Sequence, residues 1–288
     1  MKYLLILRPW QLVKNIIIFI PLFLTSQLGE YFNSTFFIFL YFSILVSGTY
    51  VINDLIDFKS DSNHPTKNKR PIASGDISKN QAIVYGVSLI LFGLIQSFIV
   101  GFEIFLLFLT YLITTLFYSI YGKNIKFVDT TLISIFFLIR LFIGGYASNT
   151  YISIALTLFL FFTSFSIGLA KKISIVNDSD ISESNSTKKR LIDNYSSESL
   201  NSLIHSSSTL SVVTLIIWLV TSNFLTLDSY QIFSLFIVIV LYYLFSILLI
   251  DEAENGTMED FVLGIFKNKT MSILLILIIV LFYIGYLT

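Results

Sequence analysis

Long apolar stretches alternate with short polar clusters along almost the whole chain. A membrane-spanning α-helix needs about 20 predominantly apolar residues, and the hydrophobic pattern predicts nine such spans. They lie at roughly 15–28, 35–53, 81–101, 103–120, 127–148, 152–171, 208–226, 230–250 and 271–287. The pattern therefore predicts an all-α polytopic membrane protein that forms a single transmembrane domain over residues 1–288.

The composition agrees with this fold class and argues against several others. Of the 288 residues, 55% are hydrophobic and only 12% are charged, against roughly a quarter charged in a typical soluble domain. The chain has no Cys, which removes disulfides, thiolate catalysis and Cys-ligated metals. These numbers argue against a soluble enzyme, a disordered chain and a nucleic-acid-binding protein.

The basic residues are distributed very unevenly between the predicted connections. Of the 18 Lys and Arg residues, all but Arg140 lie before or at the start of the first span or in the even-numbered connections. The positive-inside rule assigns that face to the cytoplasm. We therefore predict a protein of the cell (inner) membrane whose N-terminus and two long loops, about 54–80 and 172–207, are cytoplasmic. Connections of that length are usually functional in a compact protein.

Arg140 is the one basic residue that falls inside a predicted span. An ionisable side chain within the membrane is a functional-site hypothesis by default, because exposing it to lipid is costly. A structural bond to carbonyls of a neighbouring helix or to Asp129 is the alternative, and the sequence leaves both open.

A cluster of carboxylates opens the first long loop. Asp54, Asp57 and Asp61 are spaced i, i+3, i+7, so they share one face if the second helix continues past the membrane surface. Mg²⁺ suits such a face, because it takes one or two carboxylates and completes its shell with waters and substrate phosphates. Asn53 can add a neutral ligand or orient a carboxylate. A solvated helix end is the alternative, although acids at a helix C-terminus oppose its macrodipole.

Basic residues follow the carboxylates closely. Lys67, Lys69 and Arg70 lie within four positions and are suited to binding a diphosphate. A topology signal or a lipid headgroup contact is the alternative. The second loop has a looser mixture of acidic and basic residues, and aromatic side chains precede Asp129 at the same predicted membrane depth. The further candidates for substrate binding are Lys14, Asn15, Tyr118, Tyr121, Lys123, Arg140, Lys171, Lys172, Arg190 and Tyr195.

These motifs resemble the UbiA superfamily of membrane prenyltransferases. That family has nine helices, an Asn-Asp-x-x-Asp-x-x-x-Asp motif after the second, and an Arg-Pro-x-x-Ser-Gly segment after that. In this chain the motifs are Asn53 to Asp61 and Arg70 to Gly75. The resemblance covers essentially the whole chain and implies a UbiA-like bundle in which the two long cytoplasmic loops cap the site.

Within the superfamily, the chain is most similar to the decaprenyl-phosphate phosphoribosyltransferase branch. The similarity rests on Arg8 to Asn15, His64 to Lys67, Gly168 to Lys172, and Arg190 with Tyr195. One position departs from the branch, which has a Glu shortly after its Lys-Arg pair where this chain has Ile175. Asp178 and Asp180 are the candidate replacements in the second loop.

The resemblance implies a transferase reaction that depends on Mg²⁺. A 5-phosphoribosyl group would move from phosphoribosyl diphosphate to a polyprenyl phosphate, releasing diphosphate, as in cell wall precursor biosynthesis. Asp54, Asp57 and Asp61, with Asn53, would hold the metal at the catalytic centre, and the basic residues above would bind the phosphates. The polyprenyl phosphate, the phosphoribosyl diphosphate and membrane lipids are the implied partners, and no nucleic acid is expected.

Two other functions remain open at this point. A prenyltransferase that ionises a polyprenyl diphosphate and alkylates an aromatic or other small acceptor would use the same aspartates, with aromatic side chains shielding a carbocation. A membrane transporter is compatible with Arg140 and the charged loops, but the chain has only four Pro and no matched helix-breaking interruptions in its two halves.

Overall fold

The structure, a computed structural model, describes residues 2–24, 28–63, 67–177, 191–193, 195–221, 228–255 and 268–287. Every regular element within these ranges is helical, which confirms the all-α prediction. The α-helices are α1 (Lys2–Ile6), α2 (Ile20–Phe23), α3 (Leu28–Ile56), α4 (Phe58–Ser62), α5 (Lys79–Val100), α6 (Phe102–Ile120), α7 (Val128–Ala147), α8 (Ile154–Asn177), α9 (Ser197–Thr221), α10 (Ser229–Glu254) and α11 (Lys269–Leu287). Short 3-10 helices occur at Pro9–Phe19, Lys67–Lys69 and Gly122–Asn124.

Among the described residues, seven helices are long and apolar enough to cross a membrane. They are α3 and α5 to α10, and they correspond to the second through eighth predicted spans. The first and ninth predicted spans fall on shorter apolar segments, Pro9–Phe23 and Lys269–Phe282. The count of nine spans therefore stays a prediction.

The first predicted span differs from a regular membrane helix. In place of an α-helix from residue 15, the chain forms an eleven-residue 3-10 helix, Pro9–Phe19, followed by the short α2. Runs of 3-10 helix longer than three or four residues are uncommon. Its buried residues are Asn15 and Ile18, and a helix with three residues per turn places these two on one face.

Contacts divide the chain into two compact units. The first comprises Met1–Leu132 with Leu138–Ile152, and the second comprises Ile133–Phe137 with Ser153–Thr288. The single-domain organisation predicted from the sequence stays a prediction.

Glycines allow α3 and α5 to pack closely in the first unit. A Cβ added to Gly48 would lie 2.8 Å from the Gly86 carbonyl oxygen, and one added to Gly93 would lie 2.7 Å from the Leu45 Cβ. Small residues at such contacts are typical of membrane helix pairs, because they let backbones approach. The close packing fixes the C-terminal end of α3, where the carboxylates lie.

Both predicted loops contain more helix than the sequence indicated. The first begins with the end of α3, continues as α4, and ends where Ser78 and Gln81 form a capping box at the start of α5. In the second, α8 extends to Asn177 and α9 begins at Ser197. The cytoplasmic placement of both loops stays a prediction.

Candidate active site

The three aspartates follow one helical path, as their spacing predicted. Helix α3 ends at Ile56 and α4 starts at Phe58, but the backbone hydrogen bonds continue across the junction. The Asp57 N–H donates to the Asn53 carbonyl at 2.9 Å, and the Asp61 N–H donates to the Asp57 carbonyl at 2.9 Å. The C-terminal end of α3 and the start of α4 therefore carry the three acidic side chains along one continuous helical path.

The segment after the second 3-10 helix is fixed beside these aspartates by a small apolar cluster. Ile72 and Ile77 are buried with side chains from three other elements, and their cluster comprises Ile6, Val51, Ile72, Ile77 and Ala82. The turn between the two isoleucines closes with a 2.9 Å bond from the Ile77 N–H to the Pro71 carbonyl. Because Arg70 immediately precedes this turn, the cluster holds its backbone next to the end of α3.

Arg70 links two of the aspartates. Its Nη1 lies 3.2 Å from Asp54 Oδ1 and 2.5 Å from Asp61 Oδ2. Asp54 and Asp61 are only 3% and 2% exposed, so each carboxylate has lost most of its hydration and needs a cation or hydrogen-bond donors. The shared guanidinium shows that the two carboxylates lie within reach of one small cation.

Arg8 also belongs to the site, although it was not among the site residues predicted from the sequence. Its guanidinium forms an ion pair with Asp54 and lies 5.5 Å from the centroid of the Tyr50 ring. The backbone of Arg8 is left-handed, with φ 50° and ψ 57°, a conformation that is uncommon outside glycine. Strained residues of this kind cluster at functional sites. The resemblance of the segment Arg8 to Asn15 to the phosphoribosyltransferase branch was the sequence signal that could have identified Arg8.

Asp57 has a separate set of partners. Lys123, from the short 3-10 helix between α6 and α7, forms an ion pair with its Oδ1, and the Asn53 amide donates to its Oδ2 at 3.2 Å. Lys123 lies directly after Gly122, where an added Cβ would be 2.4 Å from Leu132 Cδ1. This glycine lets the connection approach α7 and so places Lys123 at the carboxylates.

The site is electrically balanced as it stands. Three carboxylates are matched by the basic side chains of Arg8, Arg70 and Lys123. Within the part of the chain that the structure describes, no three acidic or histidine side chains converge as a ready ligand set for a metal.

The donor chemistry of the site nevertheless fits Mg²⁺, which takes carboxylate oxygens one or two at a time and obtains the rest of its shell from water and phosphate. An incoming metal–diphosphate would give the carboxylates a cation and the basic side chains an anion.

Arg140 lies in a buried polar network rather than at the carboxylates. It is 3% exposed, its Nε donates to Asn15 Oδ1 at 2.8 Å, and its Nη2 donates to the Tyr111 hydroxyl at 3.1 Å. The Asn15 amide in turn donates to Ser43 Oγ at 3.0 Å. Asn15 and Arg140, both predicted as substrate-binding residues, are therefore brought together with each other.

The other predicted residues occupy varied positions. Lys69 is exposed, and Lys14, Lys67 and Tyr118 are partly buried. Tyr121 is 62% exposed and packs against the Phe117 ring at 6.2 Å.

In the second unit, Lys172 is 6% exposed and donates to the Tyr195 hydroxyl at 2.7 Å, while Lys171 is exposed. The structure thus brings two predicted residues of that region together. Arg190, Asp178 and Asp180 lie outside the described residues.

Comparison with known proteins supports the family resemblance. Residues 16–269 match the model of the UbiA prenyltransferase family. A decaprenyl-phosphate phosphoribosyltransferase from Mycobacterium tuberculosis is 31% identical over 152 residues, which cover 50% of this chain and 49% of that protein. The chain spans about half or less of the length of the first curated relatives it matches.

Solved structures show the same fold. A structure from work on the biosynthesis of digeranylgeranylglyceryl phosphate synthase in membranes has a TM-score of 0.71, with 17% identity over 99% of this chain and 97% of the other. A UbiA homolog from Archaeoglobus fulgidus bound to GPP and Mg²⁺ has a TM-score of 0.64, with 16% identity over 100% of this chain and 99% of the other. At these identities the likeness shows the fold alone.

Proposed function

The chain belongs to the UbiA prenyltransferase family, and we propose that it transfers a 5-phosphoribosyl group from phosphoribosyl diphosphate to a polyprenyl phosphate with the help of Mg²⁺. Family membership and the seven apolar helices make it an integral membrane protein. The similarity to decaprenyl-phosphate phosphoribosyltransferase supports the choice of reaction within the family. The observation that carries the proposal is the pairing of three carboxylates with three basic side chains at the end of α3.

This charge arrangement suits a metal-bound diphosphate. Bound Mg²⁺ would neutralise the leaving diphosphate and polarise its bond to the ribose. Asp54, Asp57 and Asp61 would hold the ion, and a UbiA homolog bound to GPP and Mg²⁺ supports a divalent cofactor in this fold. Arg8, Arg70 and Lys123 would turn from the carboxylates to the phosphate oxygens, so no charge in the site is left without a partner.

The reaction needs no protein base. A phosphate monoester has a second pKa near 6, so the polyprenyl phosphate is largely dianionic at neutral pH and is already a nucleophile. One of its oxygens forms a bond to ribose C1 as the bond from C1 to the diphosphate oxygen breaks. The leaving diphosphate takes the electron pair, and the basic side chains stabilise that charge as it develops.

The orientation of the protein is part of the proposal. Both substrate phosphates would be bound on the cytoplasmic face, where the Lys and Arg residues concentrate. The predicted contributions of Lys171, Lys172, Arg190 and Tyr195 to binding the lipid phosphate belong to the same hypothesis, supported by the Lys172 to Tyr195 bond.

Prenyl transfer from a polyprenyl diphosphate to an aromatic or other small acceptor is the second candidate. The family description and the homolog bound to GPP favour it. The same carboxylates would bind the diphosphate of the lipid, and the rings of Phe42, Phe108 and Tyr111 pack together in the same unit. The family match favours either transfer reaction over the transporter alternative.

A pair of assays with the purified protein separates the two reactions. One supplies radiolabelled phosphoribosyl diphosphate with a polyprenyl phosphate, and the other supplies a polyprenyl diphosphate with an aromatic acid, both with MgCl₂. The proposal expects label to enter the lipid in the first assay, in a reaction that depends on Mg²⁺. It expects no prenylated acid in the second assay. Product in the second assay alone would replace the proposal with prenyl transfer.

A further inference from the structure

We propose that Arg140 is a positioning residue that acts through Asn15 to hold Arg8 against Asp54. This inference rests on the proposed function in taking Asp54 as part of the metal–diphosphate site. It assigns Arg140 an indirect role, in which the buried guanidinium sets the position of the N-terminal segment rather than contacting substrate.

The first link joins α7 to the 3-10 helix Pro9–Phe19. Arg140 Nε donates to Asn15 Oδ1 at 2.8 Å, and these side chains are 3% and 0% exposed. The guanidinium is held from its other side by the Tyr111 hydroxyl at 3.1 Å, and it lies 5.5 Å from the centroid of the Phe42 ring. A charged donor bonding inside a low-dielectric interior gives a strong and directional contact.

The second link fixes the rotation of the 3-10 helix. The same Asn15 side chain donates from Nδ2 to Ser43 Oγ on α3 at 3.0 Å, so one amide connects α3 and α7. Three residues later, the Ile18 carbonyl packs on Gly144, where an added Cβ would lie 2.1 Å from its oxygen. The face of the segment that carries Asn15 and Ile18 is therefore locked between the two long helices.

The third link carries this constraint to Arg8. The Gln11 N–H donates to the Arg8 carbonyl at 2.8 Å, which makes Arg8 the cap of the 3-10 helix. At about 2.0 Å rise per residue, roughly 14 Å of this helix separates Arg8 from Asn15. The left-handed backbone of Arg8 persists only where surrounding structure imposes it. At the far end of this path, the Arg8 guanidinium lies 5.5 Å from the centroid of the Tyr50 ring on α3.

The chain offers a direct reporter for this path. Its two tryptophans are Trp10 and Trp218, so Trp218→Phe leaves Trp10, two residues after Arg8, as the sole tryptophan. In this background without ligand, Arg140→Gln should raise the iodide-quenching constant of Trp10 by up to about 1.8-fold, the ratio of full exposure to its present 56%, because the released segment moves away from α3. Ser97→Ala, which removes a buried hydroxyl bonded to Leu94 in its own helix, is the matched control and should leave quenching unchanged.

A double-variant cycle tests whether Arg140 acts through Arg8. With Mg²⁺ and inorganic pyrophosphate as the probe, Arg8→Gln and Arg140→Gln should each weaken binding about tenfold. The double variant should bind no more weakly than Arg8→Gln alone, because non-additivity is the signature of a shared path. Arg140→Lys keeps an N–H donor for Asn15 and should show a smaller loss of binding. It takes the place of Arg140→Gln in the cycle if that variant does not fold.

The outcomes distinguish this inference from the proposed function. Additive losses in the cycle, or unchanged Trp10 quenching in the folded Arg140 variants, would overturn the positioning role. Parent protein that does not bind magnesium pyrophosphate would overturn both the site and the inference. A cycle that behaves as expected in a protein without phosphoribosyl transfer activity would leave the inference standing and overturn the proposed reaction.

Discussion

Arg70 offers the sharpest test of how the carboxylates are held, because one guanidinium serves two of them. The variant Arg70→Gln removes the cation that Asp54 and Asp61 share at 3.2 and 2.5 Å. Both carboxylates are nearly inaccessible to water, with exposures of 3% and 2%. Asp54 keeps Arg8 as a partner, so Asp61 bears most of the loss.

The expected magnitude follows from burial and exposure. Removing one partner of a fully buried ion pair costs about 3–5 kcal/mol. The Arg70 side chain is 27% exposed, so solvent screening reduces that cost, and we expect about 2 kcal/mol. With an unfolding entropy of about 2.1 cal/mol/K per residue over 288 residues, that corresponds to a lowering of Tm by about 3 °C.

Thermal unfolding of the purified protein in detergent, without divalent cations, measures this cost. The double variant Arg70→Gln with Asp61→Asn should recover most of the lost stability, because it removes the carboxylate left without a cation. Lys69→Gln, at the exposed neighbouring position, is the matched control and should unfold like the parent. Unchanged stability in Arg70→Gln, or no recovery in the double variant, would refute the reasoning.

Four further predictions address the metal, the packing, the orientation and the nucleophile. Asp57→Asn should lower turnover at least about a hundredfold under saturating Mg²⁺ while Tm stays near that of the parent; near-normal turnover would remove Asp57 from the chemistry. Gly144→Ala should lower Tm in the same assay, because the new Cβ would lie 2.1 Å from the Ile18 carbonyl oxygen; parental Tm would contradict that contact. A single Cys replacing Ser62 in this Cys-free chain should react with an impermeant thiol reagent only after the inner membrane face is exposed, and labelling in intact cells would reverse the orientation. The rate of phosphoribosyl transfer should fall as the acceptor protonates near pH 6, and His64→Gln should keep this acidic limb, whereas a lost limb would assign it to the histidine.

The carboxylate face could be predicted from the sequence because it depends on local geometry alone. A helix that continues through residues 53 to 61 brings i, i+3 and i+7 onto one side, and the backbone bonds across Asp57 show that the helix does continue. Seven of the nine predicted apolar runs likewise coincide with long helices of the described residues, since a span is defined by its own length and composition.

The partners of those carboxylates could not be predicted in the same way. Arg8 and Asp54 are 46 positions apart, and Lys123 and Asp57 are 66 apart, so both pairs depend on how the helices pack. The burial of Asn15 within the 3-10 helix Pro9–Phe19 is likewise a tertiary effect, because its side chain bonds to Arg140 and Ser43. Local hydrophobicity predicted an ordinary helix there.

In the proposed reaction the lipid keeps its phosphate and gains a phosphoribosyl group. Mass spectrometry of the lipid recovered after incubating the purified protein with phosphoribosyl diphosphate, a polyprenyl phosphate and MgCl₂ tests it most directly. We predict a product heavier than the lipid substrate by one phosphoribosyl group, formed by the parent protein and strongly reduced with Asp57→Asn. An unchanged polyprenyl phosphate, from a protein that attaches the prenyl chain of a polyprenyl diphosphate to an aromatic acid, would contradict it.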